Sequence, residues 1–398
     1  TSATTFEPTA NVTRAQFVTM IAGLAGADVS GYASGPFDDV QAGSWYAPYV
    51  NWAAASGIVS GTSATTFDPA AEISRQDMAV MLYNYAQQAG VQLDQTTVTP
   101  FTDDSSIAAY ALPAVQALHS AGAPESMTAE ELERQRRSQE VLGKLTAPMT
   151  GMDYEEFALS GMSAAWTRLK APHGSRHAIL YCHGGGYTSG NLGYSRVLSS
   201  KLAHATGYDV LSFEYRLAPE FPYPAAVEDA LRAWDYLMLQ GYGARDIVLA
   251  GDSAGGNLAL VLCNRLKTAG RKLPGTLILM SPWTDMTMSG QSYTERAEID
   301  PMLTPEYIEA VRLAYAAGRD YRSSDLSPLF ADFTGFPPTL IQVGDHEILY
   351  SDSEQLYQAM KRANVPCRLQ VSEGMWHVFQ MFPIRKASVA IENIARFL

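Results

Sequence analysis

Short apolar runs alternate with longer amphipathic stretches over the second part of the chain. The longer stretches include Ala226 to Gln240 and Ser351 to Ala363, in which apolar residues recur at helical spacing. We predict strands at Ala178 to Cys182, Val210 to Phe213, Ile247 to Ala250, Leu277 to Met280, Thr339 to Val343 and Arg368 to Val371. Strands that alternate with helices predict an α/β domain with a mostly parallel sheet.

The first part of the chain contains an internal repeat. Thr4 to Pro8 recurs as Thr65 to Pro69, and Val12 to Phe17 recurs as Ile73 to Met78. Self-similarity at a fixed spacing indicates a repeat architecture, in which each copy forms one structural unit. The copies here amount to the second half of one repeat, one complete repeat and the first half of another.

Each complete unit is predicted to hold two helices. These are a short helix over Tyr46 to Ser56 and a second helix over Ser74 to Ala86, which Ser74 and Asp77 begin in the manner of a capping box. After Gly122 the sequence changes to a strongly charged stretch. We therefore predict two domains, an all-α repeat region over residues 1–122 and an α/β domain over residues 123–398.

Composition and charge exclude several classes of partner. The formal net charge of −13 argues against nucleic acid, because binding phosphates requires a basic face. No apolar run reaches the roughly eighteen residues that a membrane-spanning helix needs. Cys182, Cys263 and Cys367 lie far apart, so we predict neither a disulfide framework nor a metal site. The chain opens on Thr1 inside a repeat, and we interpret that start as a processed or cloned boundary.

The candidate chemistry centres on Gly251-Asp252-Ser253-Ala254-Gly255. This segment follows the predicted strand Ile247 to Ala250 and leads into a helical stretch from Asn257 to Lys267. A serine between two glycines at a strand-to-helix turn is typical of a nucleophile elbow, in which the hydroxyl is exposed above the sheet. An ordinary glycine-rich loop is the alternative for the pentapeptide alone. With the residues discussed next, we predict that Ser253 is a nucleophile.

A nucleophilic serine also needs hydrogen-bond donors for the oxyanion. His183-Gly184-Gly185-Gly186-Tyr187 follows a predicted strand, and consecutive glycines leave backbone N–H groups unobstructed. We assign the donors to the N–H groups of Gly184, Gly185 and Ala254, with Gly186 as a possible replacement for one of them. His183 is interpreted as a structural hydrogen-bonding residue.

A base and an acid complete the arrangement. His377 lies in a loop after the last predicted strand, where the chain order serine, acid, histidine places the base. The strand Thr339 to Val343 is followed by three carboxylates that compete for the role of the acid, Asp345, Glu347 and Asp352. The residues alone leave these three alternatives open.

The second part of the chain resembles the bacterial hormone-sensitive-lipase-like carboxylesterases, known as family IV, which have the α/β-hydrolase fold. The matching segments are His183 to Tyr187, Tyr215 to Glu220, Phe221-Pro222 with Pro224 to Asp229, Gly251 to Gly256, Ser281 to Trp283 and Met375 to Phe379. The resemblance implies that Glu347 is the acid, with Asp345 the runner-up, although the family more often has aspartate there. It also implies cap helices near Thr128 to Leu145 and Glu306 to Ala317. A further expectation is an acyl pocket lined by Met149, Met152, Trp166, Met286, Met288 and Met302.

The repeats resemble S-layer homology repeats, which hold exported bacterial proteins on cell-wall polysaccharide. The resemblance makes Arg14 and Arg75 candidate ligands for an acidic sugar substituent, and Trp45 a candidate for packing on a sugar ring. These three have the alternative interpretation of surface arginines and a core tryptophan. S-layer homology regions usually contain three whole repeats. This chain differs, because it has one complete repeat between two half repeats.

Together these features predict a serine carboxylesterase that acts on short- to medium-chain esters without a cofactor or metal. The resemblances imply an extracellular, wall-associated location, with a small ester as substrate and wall polysaccharide as a possible partner. Two alternatives stay open: a lactonase or amidase on the same triad, and a wall-binding module with a non-catalytic hydrolase domain.

Overall fold

The computed structural model describes residues 11–91, 106–120, 132–133, 136–137, 149–171 and 176–398. The chain divides into two compact units that separate near residue 122. Most of the predicted cap segment Thr128 to Leu145 lies outside the described residues. Among the residues described, no helix is long and apolar enough to cross a membrane.

The N-terminal unit is helical. Its helices are α1 (Arg14–Ala25), α2 (Ala47–Ala55), α3 (Arg75–Gln88) and α4 (Leu112–Ser120). Thr13 begins α1 with a full capping box, and the Ser74 hydroxyl accepts the Asp77 N–H at the start of α3. The two helices predicted for the complete repeat are thus confirmed to within two residues at each end.

The C-terminal unit contains an eight-stranded sheet. Its strands are β1 (Met152–Leu159), β2 (Met162–Leu169), β3 (Ala178–Cys182), β4 (Asp209–Phe213), β5 (Ile247–Asp252), β6 (Thr276–Met280), β7 (Thr339–Gly344) and β8 (Cys367–Ser372). They lie in the order β1-β2-β4-β3-β5-β6-β7-β8, and only the β1–β2 and β2–β4 pairs are antiparallel. The predicted α/β class with a mostly parallel sheet is confirmed.

Helices cover both faces of this sheet. They are α5 (Leu192–Thr206), α6 (Ala225–Leu239), α7 (Ala254–Thr268), α8 (Ser292–Glu295), α9 (Pro305–Ala316), α10 (Tyr350–Arg362) and α11 (Arg385–Phe397). Alternate residues of a strand point to opposite faces. Leu180 accordingly packs in one core with residues of α6 and α7, whereas Ile179 and Tyr181 pack in the other core with residues of α5 and α11.

The sheet topology places the candidate site. In a parallel sheet, the segments that leave the carboxyl ends of neighbouring strands meet at one edge. The glycine-rich loop follows β3, the serine follows β5, Ser281 follows β6 and Glu347 follows β7. Because β3, β5, β6 and β7 are consecutive neighbours in the sheet, these four segments converge.

Candidate active site

Ser253 occupies a strained turn between β5 and α7. Its backbone has φ 53° and ψ −122°, a conformation that non-glycine residues adopt rarely and that marks functional sites. A Cβ on Gly255 would lie 2.0 Å from the Cys182 carbonyl oxygen, so only glycine fits there. The Ser253 N–H donates to the Met280 carbonyl at 2.9 Å, and the Ser253 carbonyl accepts the Trp283 N–H at 3.0 Å. The residues around the end of β6 therefore hold the strained serine from both sides.

His377 and Glu347 form a buried hydrogen-bonded pair. His377 Nδ1 lies 2.9 Å from Glu347 Oε2, and since the carboxylate accepts, Nδ1 donates. Burial would lower the pKa of His377, but the hydrogen bond and charge of Glu347, with the charges of Asp300 and Asp252, raise it above its ordinary value. Glu347 therefore stabilises the imidazolium form, which is what a base needs as it takes a proton.

The other two carboxylates face elsewhere. Asp345 Oδ1 accepts the Gly374 N–H at 2.6 Å and lies 2.6 Å from His346 Nδ1. Asp352 is buried in the first turn of α10, and its Oδ2 accepts the N–H groups of Thr284 and Asp285. Burial raises the pKa of Asp352 to about 7. Of the three competitors in the described chain, Glu347 is the one in contact with His377.

The expectation for Gly184 needs correction. Its N–H donates to Asp252 Oδ1 at 3.0 Å, so it is already engaged and cannot also serve an oxyanion. For the N–H groups of Gly185, Gly186 and Ala254, the described residues offer no partner. The backbone donors left available in this part of the structure are therefore the N–H groups of Gly185, Gly186 and Ala254.

Asp252 is a buried residue of the candidate site to which the sequence pattern assigned no role. It is fully buried, and it accepts hydrogen bonds from the hydroxyls of Tyr181 and Tyr194 as well as from Gly184. Burial raises the pKa of its carboxyl, and the two tyrosine hydroxyls oppose that effect. Asp252 joins the glycine-rich loop to the elbow, and its only sequence signal is its position next to Ser253.

His183 has the structural role that the sequence indicated. It is fully buried, and its Nδ1 donates to the Gly184 carbonyl at 2.7 Å. Its ring stacks on Tyr215 with centroids 4.1 Å apart. Burial lowers the pKa of His183 to about 4, so the ring is neutral at pH 7.

Two basic side chains hold the loops of the site in place. Arg136 donates to the carbonyls of Thr188 and Ala218 and to both carboxylate oxygens of Glu220. Lys201 on α5 donates to three consecutive carbonyls, those of residues 380–382, just after His377. Burial lowers the pKa of Lys201 to about 8.

Comparison with known proteins identifies the family of the C-terminal unit. Residues 179–381 match a family described as alpha/beta hydrolase fold, just over half of the chain. An acetyl-hydrolase of Streptomyces hygroscopicus is 38% identical over 264 residues, which cover 66% of this chain and 86% of that protein. The chain belongs to the α/β-hydrolase family.

Other relatives narrow the class of this α/β-hydrolase. An esterase of Acinetobacter venetianus is 38% identical over 233 residues, or 58% of this chain and 77% of that protein. The crystal structure of an esterase from the bacterial hormone-sensitive lipase family has a TM-score of 0.65 and 36% identity, and the match covers 67% of this chain and 90% of that one. The hydrolase is a carboxylic ester hydrolase, as the motifs predicted.

The N-terminal unit of the hydrolase includes an S-layer homology domain, matched over residues 36–79. Such a domain suggests association with the cell surface. Trp45 is 60% exposed, which excludes the alternative that it is a core residue, and Arg75 is exposed as well. Both side chains are therefore accessible to a ligand.

Arg14 differs from the expectation of a surface arginine that could grip a sugar substituent. It is only 7% exposed, and its guanidinium donates to the carbonyls of Phe67 and Ser60. It also lies over the Phe67 ring, 4.8 Å from the centroid. Through these contacts Arg14 connects the start of α1 to the segments that contain Ser60 and Phe67.

The methionine-lined pocket is also corrected. Met149 and Met152 pack on one face of the hydrolase sheet, whereas Trp166, Met286 and Met288 pack in the core on the other face. Met302 is exposed. Apolar residues of this kind fill cores more often than sites, and here they do not form one lining.

Proposed function

We propose that this hydrolase cleaves esters through an acyl-enzyme, with Ser253 as nucleophile, His377 as base and Glu347 as the orienting acid. The observation that carries the proposal is the 2.9 Å hydrogen bond between His377 Nδ1 and the buried Glu347 carboxylate. It occurs at the sheet edge where Ser253 stands in its strained elbow. Nucleophile, base and orienting group are the three parts that this chemistry requires.

The reaction runs in two halves. His377 takes the hydroxyl proton of Ser253 as Ser253 Oγ attacks the ester carbonyl, and the tetrahedral intermediate carries an oxyanion. His377 then gives the proton to the departing alcohol, which leaves an acyl group on Ser253. Water, deprotonated by His377, attacks that acyl group and releases the acid. The carboxylate of Glu347 stabilises the imidazolium in both halves.

The N–H groups of Gly185, Gly186 and Ala254 receive the oxyanion in this proposal. Gly185 and Gly186 lie on the loop after β3, and Ala254 follows Ser253 at the start of α7. Donors already directed at the developing charge cost no reorganisation, and each contributes about 3 kcal/mol to lowering the barrier. Asp252 supports them by anchoring the preceding Gly184 N–H.

Hydrolysis of p-nitrophenyl acetate tests the triad. Ser253→Ala should lose at least about a thousandfold in kcat and form no covalent adduct with an organophosphonate. Glu347→Gln should also lose about ten thousandfold, because it removes the negative charge that stabilises the imidazolium. Asp345→Asn is the matched control and should retain activity near that of the wild type. The reverse ranking of these two variants would move the acid to Asp345, and an active Ser253→Ala would reject the triad.

The substrate is proposed to be an ester with a short to medium acyl chain. One relative is named an acetyl-hydrolase and another an esterase, which supports a small acyl group. A panel of p-nitrophenyl esters from acetate to palmitate should give its highest kcat/KM at the short end. A matching panel of amides and lactones would reveal an amidase or lactonase if either were cleaved faster than every ester.

We further propose that the N-terminal unit displays the enzyme on wall polysaccharide, where Arg75 and Trp45 contact the polymer. The S-layer homology match and the exposure of both side chains support this. In a pull-down on purified wall polysaccharide, Arg75→Ala and Trp45→Ala should bind more weakly than the wild type. Arg176→Ala, which removes an exposed arginine of the hydrolase unit, is the control and should bind normally. Equal retention of all variants would exclude these two residues.

A further inference from the structure

Ser281 follows β6 and contacts both Glu347 and the loop that carries His377. Its hydroxyl donates to Glu347 Oε1 at 2.9 Å and accepts the Val378 N–H at 3.1 Å. Val378 is the residue immediately after His377, and Ser281 itself is fully buried. One hydroxyl therefore connects the carboxylate of the pair to the backbone of the segment that carries the imidazole.

The backbone at both ends of this link is strained. Ser281 has φ 47° and Val378 has φ 49°, in the left-handed region. That region is unfavourable for β-branched residues such as valine, and it persists only where surrounding contacts hold it. Ser281 is held by its N–H, which donates to the Gln342 carbonyl on β7 at 2.7 Å. Val378 is held by the Ser281 hydroxyl.

The hydrogen bond from Ser281 matters more for a glutamate at position 347 than it would for an aspartate. Its side chain has one more rotatable bond, so its carboxylate has more orientations to choose from. Glu347 Oε1 accepts from Ser281 Oγ and from the Gly344 N–H at 2.5 Å, which leaves Oε2 for His377. The two donors on Oε1 fix the plane of the carboxylate and direct Oε2 at Nδ1.

We propose that Ser281 is a positioning residue of this esterase. Its hydroxyl fixes the position of Glu347 relative to the loop that carries His377. The inference rests on the roles proposed for Glu347 and His377. It differs from a purely structural role because the hydroxyl acts on the electrostatics of the pair as well as on packing. Ser281 itself contacts neither substrate nor reacting atoms in this proposal.

Removing the hydroxyl has a predictable electrostatic consequence. Glu347 would lose one of its two donors on Oε1, so its negative charge would be less dispersed and would act more strongly on His377. The other carboxylates that influence the pKa of His377, Asp300 and Asp252, are unchanged by the substitution. The imidazolium pKa should therefore rise, and the acid limb of kcat/KM against pH should move to higher pH.

The experiment compares Ser281→Ala with Ser281→Gly on p-nitrophenyl acetate. Both variants lack the hydroxyl, but glycine accepts the positive φ without strain. We expect both to lose about ten- to a hundredfold in kcat, as misplaced catalytic groups do, with KM within twofold of the wild type. Both should show the acid limb at higher pH. Ser281→Gly should melt above Ser281→Ala, which separates the kinetic defect from the effect on folding.

Ser327→Ala is the matched control. Ser327 is also fully buried, and its hydroxyl donates to the Tyr321 carbonyl and accepts the Met286 N–H. Its removal should lower the melting temperature without moving kcat or the pH profile. Ser281 variants whose kcat per folded molecule stays within twofold of the wild type, with an unmoved or lower acid limb, would overturn the inference. If Glu347→Gln is also fully active, the proposed triad fails with it; if Glu347→Gln is inactive, only the role of Ser281 fails.

Discussion

Acid should destabilise the hydrolase unit through His183. Because a carbonyl oxygen can only accept, the contact with the Gly184 carbonyl places the proton of the neutral ring on Nδ1. Nε2 is buried, and among the described residues it has no hydrogen-bond partner. Protonation would place an N–H and a positive charge in that unpartnered position. Burial accordingly lowers the pKa of His183 from 6.5 to about 4.

The loss of folding stability follows from the difference between the pKa of His183 in the folded chain and in the unfolded chain. Between pH 6.5 and pH 4 the unfolded chain binds a proton at this histidine and the folded chain does not, so stability that is present above pH 6.5 is lost as the pH falls. A difference of about 2.5 pH units at about 1.36 kcal/mol each corresponds to about 3 kcal/mol. This is a large share of the stability of an ordinary domain.

His183→Asn isolates this contribution. The asparagine amide can replace the Nδ1–H donor but does not titrate, and loss of the Tyr215 stacking adds an offset that does not depend on pH. Urea unfolding followed by tryptophan fluorescence should be measured for both proteins at pH 7, 6, 5 and 4. His377, whose raised pKa adds stability that is lost as pH rises, titrates in both proteins and cancels. The stability advantage of the wild type should shrink by about 3 kcal/mol from pH 7 to pH 4.

A difference between the two proteins that stays constant across this pH range, within about 0.5 kcal/mol, would refute the reasoning. It would mean that His183 can be protonated in the folded state, with Nε2 reaching an acceptor or water. The same measurement on Ser253→Ala, with the ring untouched, should reproduce the wild-type pH dependence.

Three further substitutions test the scaffold of the site. Gly255→Ala should abolish soluble expression or activity, because its Cβ would lie 2.0 Å from a β3 carbonyl oxygen; an active, folded variant would contradict the close approach. Arg136→Met should lower kcat/KM severalfold and increase susceptibility to proteolysis, because four hydrogen bonds to the loops beside the site are lost; unchanged kinetics and cleavage would exclude this role. Lys201→Met should reduce the free energy of unfolding by about 1–3 kcal/mol, because it leaves the carbonyls of residues 380–382 without their donor, and denaturant titration would detect the loss.

The parallel part of the sheet was predictable because buried parallel strands are continuous apolar runs. The predicted Ala178 to Cys182 coincides with β3, and Ile247 to Ala250 falls inside β5. The antiparallel β1 and β2 were not predicted. Glu155 and Glu156 lie side by side in β1 and interrupt the alternation of apolar and polar residues that marks a half-buried strand. At the end of a sheet, pairing with one neighbour is enough to form a strand without such a pattern.

In the candidate site, too, some features were predictable from local sequence and others were not. Ser253 and His377 carry motif and chain-order signals that depend on local sequence. The identity of the donors does not, because three consecutive glycines look alike until the structure reveals which N–H faces a carboxylate. That carboxylate, Asp252, is positioned by Tyr181 and Tyr194, which are distant in sequence. Contacts of this kind arise from strand order, which a single sequence does not display.

The burial of Arg14 has a consequence for how the N-terminal unit can be divided. The arginine belongs to the segment that opens α1, yet its hydrogen bonds go to carbonyls of the following copy, and the Arg14 N–H also pairs with the Ala71 carbonyl. Thr13 and Glu72 form a β-bridge at the same place. The structural period is therefore out of phase with the sequence period. A truncation placed where one sequence copy ends and the next begins would cut through a shared core. A truncated protein that keeps the complete copy must therefore also keep the half-copy that precedes it.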